Sequence, residues 1–136
     1  FKAEYLMKAE NNLIDSEKIY LEADVISKNI GSMDFASDAH SGLGNIYFQQ
    51  KKYKKAIDQF SQAVVESKID DNIPNQYEAL IGIHRIIDIL KDKELFVEFS
   101  DEVEHVFSKD PNRSDYFNTL NDIVLNLNNY FKDSED

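Results

Sequence analysis

Cysteine is absent from the sequence, which excludes disulfides, cysteine nucleophiles and thiolate metal sites. Glycine and proline are scarce, four and two in 136 residues, too few turn formers for an all-β chain. Positive charge is in deficit: 15 Lys and Arg stand against 26 Asp and Glu, giving a formal net charge of -11. Phosphate backbones and anionic membrane surfaces repel such a chain, so neither nucleic acid nor membrane is expected as a partner. No apolar run approaches the roughly 18 residues of a membrane span. These absences lead us to expect a cytoplasmic protein. No signal peptide is visible, and Phe1 already lies in a helical pattern, so a longer parent protein is expected.

What is present is helical periodicity, in a chain that is 42% apolar and 30% charged. The spacing predicts seven helices, at about 1–10, 13–29, 34–50, 53–67, 75–91, 94–108 and 114–131. Gly31 can take the left-handed conformation that ends a helix, and Ser32 or Asp34 can cap the next. Pro74 and Pro111 mark two further breaks, because proline suits a first helical turn and not an interior.

Small and aromatic residues alternate in GLGNIYFQQKKYKKAIDQFSQAV, residues 42–64. The spacing Tyr53, Ala56, Phe60, Ala63 recurs 40 positions earlier as Leu13, Ser16, Tyr20, Ala23. It recurs 43 positions later as Phe96, Phe99, Val103, Val106, with larger residues in the small places. A helical hairpin is therefore written about three times, near 1–30, 34–68 and 75–111, with a closing helix at 114–131. Two registers compete in the third copy. Setting Gly82 on the Gly44 role buries Glu78 and Arg85, whereas setting Ile87 there buries Ile83, Ile86, Ile87 and Leu90. Unpaired charge is costly to bury and aliphatics favour it, so the second register is the expected one.

Leu43-Gly44, Tyr47, Ala56, Phe60 and Ala63 resemble the tetratricopeptide repeat, whose pattern runs W-x2-L-G-x2-Y, A-x3-F, P. His40 stands where that family usually has tryptophan, and Lys68 where it has proline. The repeat length of about 40 is similar to long-helix arrays of bacterial peptide-sensing regulators and signalling adaptors. The resemblance implies a single all-α domain over residues 1–136: a right-handed α-solenoid of about three hairpins plus a C-terminal helix. It also implies a non-catalytic scaffold or adaptor that binds a protein or peptide on its concave face, without a cofactor. Alternatives are a peptide-sensing module of a larger bacterial signalling or transcription protein, and a structural self-association unit.

Carrying over the family's groove positions gives Lys2, Tyr5 and Lys8 from the first repeat. The second supplies Asp38, Ser41, Asn45, Phe48 and Gln49, and the third His84, Arg85 and Asp88. Asn45 is the best placed of these, because its amide can donate to and accept from a peptide backbone. Only Arg85 falls on a position of the family's carboxylate clamp, so clamping of a chain terminus is not expected.

The basic run KKYKK, 51–55, reads as a solvated turn, and the three histidines show no shared-helix metal spacing. No nucleotide-binding or nucleophile motif occurs, so neither a metal centre nor an enzyme is expected. On the last helix, an outward Phe117, Val124 and Phe131 would leave a second apolar face for another domain or another copy.

Overall fold

The computed structural model describes residues 2–133, with side chains for residues 9, 10 and 12–133. Seven helices follow one another and no strand occurs among the described residues: α1 (Lys2–Ile30), α2 (Met33–Gln49), α3 (Tyr53–Ile69), α4 (Ile73–Leu90), α5 (Lys93–Glu98), α6 (Ser100–Ser108) and α7 (Asp115–Asp133). The expected break near residue 11 is absent, and α1 runs unbroken for 29 residues. No glycine or proline interrupts it, and the two asparagines at the expected break, Asn11 and Asn12, lower helix propensity by only roughly tenths of a kcal/mol each. The expected helix 94–108 is instead two, split at Phe99.

The turns between helices are built from local chemistry. Ser32 caps α2 by accepting from the Phe35 amide at 3.2 Å, and Asn72 caps α4 by accepting from Asn75 at 3.1 Å. Pro74 sits in the first turn of α4, where its missing N–H costs nothing. Left-handed residues close the helices: Gly31 and Asp71 stand 40 positions apart, and so do Lys51 and Lys91.

That period extends to the core. Every buried position of α2, from Ala36 to Tyr47, has a buried counterpart 40 residues on in α4, from Gln76 to Ile87. Gly42 lies under the ring of Tyr20 from α1, and Gly82 lies under the ring of Phe60 from α3. A Cβ on Gly82 would come within 2.5 Å of that ring, so each aromatic uses a glycine to reach the next hairpin. Gly44 faces the same Phe60 ring within its own hairpin, where a Cβ would fall 2.7 Å away. Phe60 thus fills the space beneath two glycines on two helices.

The third copy therefore takes neither of the two expected registers. Leu43 corresponds to Ile83, Gly44 to His84 and Tyr47 to Ile87. Ile83, Ile86 and Ile87 are fully buried and Glu78 and Arg85 exposed, as the cost of burying charge requires, but Leu90 is half exposed. The shift of 43 holds only for the second helix, where Phe99, Val103 and Val106 are buried as Ala56, Phe60 and Ala63 are. The split at Phe99 absorbs the three extra residues.

Hairpin stacks on hairpin: α1 on α2, α2 on α3, α3 on α4, and α4 on α7. Tyr77 of α4 donates to Asp110 at 2.8 Å, and the same carboxylate accepts from the Ser114 amide and hydroxyl. This network ties the α6–α7 connection to the core. The second apolar face expected on α7 is not open, because Phe131 is buried while Phe117 and Val124 are half-buried against the core.

Candidate functional site

The first helices α2, α4 and α7 lie side by side and leave a concavity of about 370 Å3. Its walls are Asn45 from α2, Glu78, Ile81 and Arg85 from α4, and Tyr116 and Thr119 from α7. Helix period explains the selection. Positions 78, 81 and 85 recur at three and four residues, so they share the face of α4 turned away from the second helices. Asp38 and Asn45 of α2 occupy the same places in the preceding repeat, 40 residues before Glu78 and Arg85.

Asn45, Arg85, Asp38, Gln49 and Asp88 are all exposed on these first helices. Two of the residues expected with them are not. Ser41 is only 6% exposed, and His84 has no exposed surface at all. His84 follows Ser41 by 43 residues, but the 40-residue register that the fold adopts gives it the Gly44 place at the hairpin crossing. Phe48 is half-buried and packs edge-on to Tyr53 at 5.9 Å, closing its own hairpin. Lys2, Tyr5 and Lys8 have side chains outside the described residues.

Glu78 and Ile81 follow from the adopted register in the same way. Shifting Asp38 and Ser41 by 40 would have found both. Tyr116 and Thr119 carried no signal, because nothing in the pattern says which face of the last helix meets α4.

Charge in the concavity is uneven. Burial raises the Glu78 carboxyl above its usual range, nearby Asp38 raises it further, and a hydrogen bond from Tyr116 partly opposes both. Tyr116 is itself held flat against Tyr77, with ring centroids 5.9 Å apart. Among the described residues, the Arg85 guanidinium forms no salt bridge. The site thus offers two crowded carboxylates, one guanidinium, one amide and an apolar floor at Ile81. Such a set can pair with both polar and apolar groups; it contains no paired nucleophile and base.

Histidine at position 40 has a separate structural role. It is buried between helices, with Nε2 2.9 Å from Asp24 of α1 and Nδ1 2.5 Å from Glu66 of α3. It joins three helices by polar contacts where the family's tryptophan would join them by volume.

The tetratricopeptide repeat family model matches residues 37–65, covering most of α2 and α3. This hairpin is a tetratricopeptide repeat. Comparison with curated proteins and with solved structures found no match. Tetratricopeptide repeats are generally protein–protein interaction modules and typically non-catalytic. No helix among the described residues is long and apolar enough to cross a membrane.

Proposed function

We propose that the chain is a non-catalytic binding module that captures an extended segment of a partner protein along α2, α4 and α7. The observation that carries this reading is the repeated polar ladder of the concave face, Asp38 with Glu78 and Asn45 with Arg85, above the apolar floor at Ile81. Extended peptides present backbone amides and carbonyls at regular intervals, and Asn45 can pair with both kinds. Arg85 supplies donors for a carbonyl or carboxylate. The pair Asp38 and Glu78 favours a lysine or arginine from the partner, because a cation there stabilises an ionised Glu78 that burial first, and Asp38 second, disfavour.

The test is a peptide-display selection on this chain, followed by affinity measurement with Asn45→Ala and Arg85→Ala together. A selected peptide should carry a basic residue and lose about tenfold or more in affinity against the double variant, which keeps its circular dichroism. Unchanged affinity would remove the groove from the reading.

A further inference from the structure

A second, smaller pocket lies on the other side of α4, and its chemistry differs from the groove. It has a volume of about 230 Å3 and is walled by Phe96, Val103, Phe107 and Val124. Exposed Glu104 and Asn128 stand at its rim. His84 lines it with no exposed surface.

The imidazole has a defined polarity. Its Nδ1 lies 2.7 Å from the Leu80 carbonyl oxygen, which can only accept, so Nδ1 carries the proton. In the neutral ring Nε2 is then a bare acceptor. That atom is buried and has no hydrogen-bond partner among the described residues. Burial lowers the affinity of the ring for a second proton, which keeps the lone pair of Nε2 available. Buried polar atoms are almost always paired, so an orphan acceptor in the wall of an apolar pocket needs an explanation. The glycine at the equivalent position, Gly44, leaves no such atom. His84 also meets Phe96 edge-on at 6.1 Å, which fixes the plane of the ring.

We infer that the pocket between α4, α5, α6 and α7 is a binding site for a small uncharged aromatic molecule with one N–H or O–H donor, which it gives to His84 Nε2. The size suits that class. An apolar cavity of about 150 Å3 accommodates benzene, so 230 Å3 has room for a ring with a substituent or for two fused rings. The aromatic and valine walls match a ring face, and the one fully buried, unpaired acceptor favours a ligand with a donor. Glu104 at the rim and the formal charge of -11 disfavour an anionic ligand such as benzoate. This site is separate from the concave groove and does not depend on it.

The experiment compares phenol, toluene and benzoate on the 136-residue chain by isothermal titration and by NMR. Phenol and toluene have nearly the same shape, and only phenol can donate. Phenol should bind about tenfold more tightly than toluene, the worth of one net hydrogen bond, and benzoate should bind least. The pyridine-type Nε2 nitrogen resonance of His84 should move on adding phenol, along with the methyl signals of Val103 and Val124. In His84→Leu the preference for phenol over toluene should vanish. Equal binding of phenol and toluene to the unmodified chain, or phenol binding that leaves the Nε2 resonance in place, overturns the inference. So does the absence of phenol binding. The ligand comparison on the unmodified chain decides the matter even if the variant folds poorly.

Discussion

The α2–α3 hairpin and the one formed by α4 with α5 and α6 share a 40-residue period on their first helices but close in different ways. Gly44 lets the Phe60 ring press against the α2 backbone, and α3 continues straight for 17 residues. At the equivalent place the second hairpin has His84, an imidazole where no side chain stood. In that hairpin the second helix breaks at Phe99 and a 230 Å3 pocket lies beside His84. One hairpin uses its crossing point as a contact. The other turns the same position into a lined cavity, so a repeat can acquire a site by a substitution at its tightest position.

The largest expected effect that bears on this contrast is at Phe60. Phe60→Ala should destabilise the protein by about 3–5 kcal/mol in a denaturant titration, because the ring serves two glycines on two helices. Its counterpart Val103→Ala should cost only about 2 kcal/mol. If the two losses were equal, the tight and loose hairpins would not differ in packing.

Leucine placed at the two equivalent positions sharpens the comparison further. Gly44→Leu drives atoms into the Phe60 ring and should cost about 3 kcal/mol or more. His84→Leu replaces an unpaired acceptor by a shape of similar size and should change stability at pH 8 by less than about 1 kcal/mol. A large loss from His84→Leu would mean the imidazole is a structural member.

Acid should separate the two hairpins as well. His84 is held below its ordinary 6.5 by burial, whereas the unfolded chain takes up a proton at that pH. Its contribution is therefore fully present above pH 6.5 and is lost as the pH falls below it toward the folded value. The stability of the parent should fall relative to His84→Leu over that range, read by thermal melts at matched pH.

The smallest effect is expected on the groove. The Glu78 carboxyl is raised, so its ionised form is the disfavoured one in the fold. Its contribution is greatest below the ordinary 4.5 and declines as the pH rises through the folded value. Glu78→Gln should therefore gain relative to the parent at neutral pH, by less than about 0.5 kcal/mol after solvent screening. Adding Asp38→Asn should produce no second gain, because the repulsion has already gone.

Much of this molecule was legible as pattern. Leu43, Gly44, Tyr47, Ala56, Phe60 and Ala63 announce the central hairpin, and Tyr20 with Ala23 repeats it 40 residues earlier. In the third copy the segment IGIHRIIDIL has isoleucine at so many places that several registers bury enough apolar surface. Charge avoidance at Glu78 and Arg85 excludes one register but does not select among the others. The same ambiguity puts His84 among the expected groove positions and leaves Glu78 out of them. Nothing local marks the split at Phe99, since the stretch from Lys93 to Ser108 lacks glycine and proline.

By itself, then, the sequence determined the helical class, the hairpin repeat and the polar character of the concave face. Those properties follow from periodicity and from the cost of burying charge, both written residue by residue. The register of α4, the break between α5 and α6 and the face that α7 turns inward were decided only by the tertiary structure. Each depends on which side chains of neighbouring hairpins compete for one volume. Phe60 takes the space under Gly82, and that single contact places His84 at the crossing and Arg85 in the groove.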